Sequence, residues 1–393
     1  MRHLTTPAAA AAIVAVALGA LSAQNFPSHQ ITNGQISAKV YLPDAKNGFY
    51  RTTRFDWSGA IASLEYKGHN YYGQWFSKIT DIYDFGYEGP GKDVISADFT
   101  AMVGPAEEFG AIGYNDAQPG GLFVKPGIGV LKRDEGGYNH SRPYPIANGG
   151  KWDVKTARDS VVFTHTLSEP SIGFGYVYTK TIRLTPNQPQ MTIAHVMKNT
   201  GTKAIVTNVY NHNFLTLDHQ APGPDFDIAV PWQLVRGAGR GQGAPAGRAG
   251  QPGGAPQAPP AAAAGAGRAG QPPVDPYAAL AAGERMGTQC GHPSMQALAA
   301  PQGNKLVYTK GLEGAECYQT AFSGFSQDVK DYDIRIQNKK AGAGVHITGD
   351  RPLSRFGYWS IRAVMAVEPY VDINIEPGQE FAWKITYDYF TTP

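Results

Sequence analysis

Between Tyr176 and Asp218 the chain reads YVYTKTIRLTPNQPQMTIAHVMKNTGTKAIVTNVYNHNFLTLD, and little else in it constrains the fold as tightly. Three runs rich in Tyr, Val, Thr and Ile, at 176–184, 191–198 and 204–209, are separated by two turns. The first turn, Thr185-Pro186-Asn187-Gln188-Pro189, holds two prolines and an asparagine, which favour turn geometry and cannot continue a ladder. The second is Asn199-Thr200-Gly201-Thr202. In the middle run Met191, Ile193 and His195 alternate with Thr192, Ala194 and Val196, the period of a strand. Short connections between such runs predict adjacent antiparallel strands. The third run ends in Tyr210-Asn211-His212-Asn213-Phe214, a cluster of hydrogen-bonding groups where a strand leaves its sheet. His212 there either faces a cavity or caps a loop in the core.

The rest of the chain has the same character. Glycine (47), proline (29) and tyrosine (21) are plentiful and long helical patterns are scarce, which predicts an all-β protein, a large antiparallel β-sandwich. Hairpins are expected at 31–43 around Asn33-Gly34, at 61–75 around Lys67-Gly68 and at 151–167, with one more strand after Pro224. Further strands are expected at 305–309, 316–325, 331–337, 344–348, 361–367 and 381–390. The apolar strand 361–367 should end or bulge at Glu368-Pro369, since proline gives nothing to a ladder. Residues 237–273 are built from Gly, Ala, Pro, Gln and Arg without a bulky apolar side chain, and read as a disordered insertion within one domain spanning 24–393. A short helix is expected at 274–284.

The first 23 residues pair a basic start with an Ala/Val/Leu run and small residues near position 23, the pattern of a signal peptide. A periplasmic or secreted protein follows, with no membrane span once the leader is cut. A formal net charge of +2 implies no nucleic-acid partner. Cys290 and Cys317 could pair in an oxidising compartment, and the spacing leaves that open.

Several side chains sit where chemistry would need them. A carboxylate at the end of a buried apolar strand, Glu368, is costly unless partnered or near water. Lys125 stands among Phe123, Val124, Ile128 and Val130. Arg51 and Arg54, three apart, point to opposite faces of a straight strand, as do Glu107 and Glu108; an ion pair of one arginine with Asp56 is the structural alternative. Trp57, Trp75 and Tyr370 could stack on a sugar or fill a core. Asp218, His219, Asp225 and Asp227 read as loop formers, so no metal site is expected, and His346 reads as structural.

Asn211-His212-Asn213-Phe214, after a strand ending in Asn-Thr-Gly, resembles the Asn-His-x-x-Phe segment of the galactose mutarotase (aldose 1-epimerase) family, shortened by one residue. Arg51-Thr52-Thr53-Arg54 is similar to that family's Gly-Arg-x-x-Asn-Arg, without the Gly and Asn. Lys125-Pro126-Gly127-Ile128-Gly129 stands where the family has a substrate-binding His before Gly-Gly. Glu368, Pro377-Gly378-Gln379-Glu380 and 387–390 resemble its closing region, with a shorter spacing. The resemblance implies His212 as general acid and Glu368 as base in opening an aldose ring. Lys125, Arg51 or Arg54, Asn211, Asn213 and Trp57 would hold the sugar, and no cofactor is required. A sugar binder without turnover is the rival reading. A lyase using Tyr210 and His212 with a neutralising arginine is another; a glycoside hydrolase would need a second carboxylate in the pocket.

Overall fold

A computed structural model describes residues 25–80, 94–237, 290 and 292–392. The leader at 1–23, the segment 237–273 beyond Gly237, and the helix expected at 274–284 lie outside the described residues.

Two antiparallel sheets dominate, one of ten strands and one of six. Alternation along each strand places one face of both sheets in a common core: Phe174–Leu184 buries Tyr176, Tyr178, Lys180, Ile182 and Leu184. The same rule turns Val209 and Phe109 of the six-stranded sheet toward Tyr178 and Ile193 of the ten-stranded one. The protein is therefore an all-β sandwich. The expected hairpin turns at Gly34, Gly68 and 157–159 are present.

The central meander is corrected at its third strand. Phe174–Leu184 and Gln190–Asn199 pair as expected, Ile182 opposite Ile193. Ile205–Phe214 instead crosses to the six-stranded sheet. The free edge of Gln190–Asn199 is taken by the closing strand Glu380–Thr391, with His195 opposite Trp383. The Asn199 amide then donates to the carbonyls of Lys203 and Ile375, both at 2.8 Å, which pins the corner to the facing sheet.

The strand expected at 361–367 is also two strands, Arg355–Ile361 and Val364–Ile375, folded back at Arg362-Ala363. That turn contains no Gly, Pro or Asn to announce it. Nor does Pro369 end the strand, which runs through it to Ile375.

A second layer covers the far face of the six-stranded sheet. It comprises the segment around 50–60, the residues 94–103 and a three-stranded sheet of Leu122–Lys125, Gly129–Lys132 and Ile146–Asn148. Phe55, Trp75, Phe123 and Tyr144 pack there against Phe214, Trp359 and Ile361. Cys290 is disulfide-bonded to Cys317 at the start of Cys317–Ser323, deciding the pairing that spacing left open.

Candidate active site

The proline that was expected to stop a strand sets the geometry of the site. Tyr210 pairs with Tyr370, and Leu215 bridges Met365, so the register of the two strands is the same on both sides of the interval between them. Within it the ladder opens, because Pro369 has no N–H to give. Asn213 Nδ2 supplies a substitute bond to the Val367 carbonyl at 2.9 Å. The shared register sets His212 opposite Glu368, and their side chains meet at 3.3 Å, Nε2 to Oε1. Both are nearly fully buried, at 2% and 3% exposure. His212 Nδ1 and Glu368 Oε1 lack a hydrogen-bond partner among the described residues. Buried polar atoms are rarely left so, and each orphan costs about 1–3 kcal/mol.

Strand alternation sorts the neighbours. Tyr210, His212 and Phe214 face the second layer, where the imidazole stacks on Phe214 at 3.9 Å and meets Phe55 and Trp359 edge-on. Asn211 and Asn213 must then face the opposite way, into the core between the sheets. Asn211 Nδ2 donates to Glu107 Oε1 at 2.9 Å and Asn213 Oδ1 accepts from the Tyr387 hydroxyl at 2.8 Å. They are structural, and the expectation that they bind substrate is corrected.

Glu107 and Glu108 diverge as adjacent strand residues should. Glu108 lies on the His212 face, where Arg54 Nε binds its Oε2 at 2.7 Å and the Tyr210 hydroxyl donates to the same oxygen at 2.5 Å. Arg54 Nη2 also donates to the Tyr210 hydroxyl at 3.1 Å. Arg54 thus belongs to the site, paired with Glu108 and not with Asp56. Lys125 is brought in from the small sheet: its Nζ donates to the Phe109 carbonyl (2.6 Å) and the Tyr138 hydroxyl (2.8 Å) and lies 3.8 Å from Glu108 Oε1. His140 stands 4.0 Å from the same carboxylate.

Other expected residues go elsewhere or do other work. Arg51 is exposed and donates to the Lys46 carbonyl, since 52–55 are bends and not the straight strand expected. Trp57 packs in the second layer's core with its indole N–H on the Thr52 carbonyl. Trp75 stacks on Phe214 and Tyr370 on Tyr210, so both frame the site. Of the acidic run, Asp218 binds His69 and Asp227 binds Lys305; His346 pairs with Asp333.

Burial governs the protonation of the pair. It pushes the His212 pKa well below its ordinary value, and the Arg54 charge pushes the same way. It raises the Glu368 carboxyl to about 7, with Arg54 and Arg355 opposing. Burial thus outweighs the Glu108 charge, which would favour the imidazolium. Burial also lifts Glu108, but Arg54, His140 and Lys125 outweigh it and hold that carboxylate ionised. Burial lowers Lys125 to about 8 and His140 to about 4. Tyr210 is driven well above its ordinary value, by burial first and then by Glu108.

Residues the sequence did not point to complete the face. Arg355, Gly357 and Trp359 alternate along one strand, with Gly357 opposite Glu368. A Cβ on Gly357 would lie 2.6 Å from Glu368 Oε2, so only glycine leaves the carboxyl its place. The spacing of those three was visible, but nothing in it said which strand would face them.

No family model matches the chain, and no curated protein matches it. Among solved structures it is similar to a galactose mutarotase related enzyme from Lactobacillus acidophilus (10% identity, 93% of this chain and 98% of that one, TM-score 0.48). It is similar to the GalM/aldose epimerase homologue from C. elegans (14% identity, 93% and 99%, TM-score 0.48). A galactose mutarotase-like protein from Lactobacillus casei matches at 12% identity over 92% and 100%, with TM-score 0.46.

Proposed function

We propose that the protein binds a sugar on this face and interconverts its anomers by opening and reclosing the ring. The reading rests on the His212–Glu368 contact of 3.3 Å, in which two titratable groups distant in sequence meet with orphaned polar atoms. Anomer exchange needs one group to take the O1 proton and another to give a proton to the ring oxygen. The C1–O5 bond then breaks, and C1 becomes a carbonyl. Both oxygens sit on one carbon, so donor and acceptor must each come within hydrogen-bond reach of the same anomeric centre. With Glu368 near 7 and His212 neutral, the pair shares a single titrating proton, which sits on the carboxyl in about half the molecules at pH 7. Glu368 then donates to the ring oxygen and His212 accepts from O1, the reverse of the roles the family resemblance implies. Reclosure on the other carbonyl face restores both. Arg54 and Lys125 hold Glu108 as a fixed polar wall. Export is part of the proposal, supported by the disulfide, which suits an oxidising compartment.

The test is the rate at which the purified protein equilibrates the anomers of aldoses, followed by NMR or polarimetry. His212→Ala is expected to slow the protein-dependent rate about hundredfold. Protein-independent equilibration with wild type, alongside measurable sugar binding, would assign a binder instead. Gly357→Ala gives a sharper check on geometry. Its methyl must displace the Glu368 carboxyl, and a shift of that size is expected to cost about a hundredfold in rate while circular dichroism and melting stay near wild type. An unimpaired G357A enzyme would show that the carboxyl is not used where it stands.

A further inference from the structure

We propose that the sugar taken by this site is anionic, a carboxylate-bearing sugar such as a hexuronic acid, with Arg355 as the residue that selects it; this rests on the anomer-exchanging reading above. Arg355 pairs in register with Tyr370 and so emerges on the same face as Glu368, His212 and Tyr210. Its guanidinium lies over the Tyr370 ring, 4.8 Å from the centroid, and Tyr370 stacks on Tyr210 at 4.3 Å. The side chain is only partly buried, and no Asp or Glu oxygen comes within ion-pair distance of it among the described residues. Every other cation on the face is engaged: Arg54 and Lys125 both turn to Glu108.

The charges on the face do not cancel. Arg54, Lys125 and Arg355 stand against the fixed anion Glu108, while Glu368, at about 7, is only half ionised at neutral pH. A neutral hexose would leave that excess unanswered, whereas a ligand carboxylate answers it. One planar guanidinium offers the two parallel N–H donors that a carboxylate takes up.

On this reading the ligand lies along Arg355–Ile361. Arg355, Gly357 and Trp359 follow one another on the site face: a cation, a bare position and an aromatic ring, with Glu368 across from the bare position. An anomeric centre at Glu368 and a carboxylate at Arg355 are then one strand step apart, with Trp359 one step the other way. The Tyr370 ring holds the guanidinium over its own face instead of letting it fold onto Glu368.

The experiment compares wild type with Arg355→Met on D-glucose, D-glucuronic acid and D-glucose 6-phosphate, with anomer exchange followed by NMR and binding by calorimetry. Wild type should favour glucuronate over glucose by at least tenfold in kcat/KM. R355M should remove most of that preference, acting chiefly on KM, and Arg355→Lys should recover part of it. Glucose handled as well as glucuronate, or an R355M preference equal to wild type, overturns the proposal. A preference for the phosphate over glucuronate overturns the carboxylate assignment. If no sugar is turned over, the anomer-exchange reading falls, and binding decides this one separately: tighter binding of glucuronate than glucose, lost in R355M, upholds it, and equal binding overturns it.

Discussion

Lys180→Met is expected to lower folding stability by about 3–5 kcal/mol at pH 8, a factor of roughly 10² to 10⁴ in the folding constant, because it strands a charge between the two sheets. Lys180 Nζ binds Glu107 Oε2, donates to the Ser58 carbonyl at 2.7 Å and lies 3.8 Å from Asp56 Oδ2, all without solvent contact. His195 Nε2 and Asn211 Nδ2 each reach Glu107 Oε1 at 2.9 Å. The network fastens four strands and the 56–58 loop, and the Asp56 amide donates to the Glu107 carbonyl at 2.8 Å. Arg54 and Glu108 are thereby held against each other from behind.

Burial pushes the Glu107 carboxyl up, but Lys180 and His195 outweigh it and hold it well below the usual range. A depressed carboxylate contributes stability above its unfolded pKa and loses it as pH falls. Without Lys180 the sign reverses, since desolvation is then opposed by fewer charges. The K180M defect should therefore be larger at pH 8 than at pH 4, read from urea midpoints. Glu107→Gln with Lys180→Met should restore much of the loss by removing both charges. A K180M protein of wild-type stability, or a defect that does not change with pH, would mean the cluster is not the ionic network described.

Local pattern made the strands legible. Alternation at Met191, Ile193 and His195 and the turns at Gly34 and Gly68 fixed which residues pair nearby. What it could not supply was partners distant in sequence. Nothing within 190–214 says that Glu380–Thr391 will claim one edge and send Ile205–Phe214 to the other sheet. The tight turn at Arg362-Ala363 lacks any residue that requires it. His212 and Glu368 came from the family resemblance and stand together. Asn211 and Asn213 did not, although strand alternation alone forbids three consecutive residues from sharing a face. Lys180 carries the same signal as Lys125, a lysine within an apolar and aromatic strand. In an amphipathic run, though, a lysine reads as solvent-facing until the second sheet is laid over it.

Glu368→Gln carries the other large effect, and it reads the active pair in two independent ways. Glutamine keeps the size of the side chain but cannot pass a proton between oxygens, so the anomer-exchange rate should fall about 10³-fold. The second reading needs no substrate. Burial raises the folded-state pKa to about 7 from an ordinary 4.5, so the folded protein binds a proton more tightly than the unfolded chain. That contribution is fully present below about pH 4.5 and is lost as pH rises through 7. The difference of about 2.5 units corresponds to about 3 kcal/mol. Glutamine has no proton to lose, and every other titrating group is common to both proteins. On going from pH 4.5 to pH 8.5, the stability of E368Q relative to wild type should therefore rise by about 3 kcal/mol, as measured by urea unfolding at each pH. An enzyme that loses its rate and gains alkaline stability through one substitution has a carboxyl kept protonated for use. Parallel stability curves would instead place Glu368 in contact with water and remove the protonated carboxyl from the mechanism.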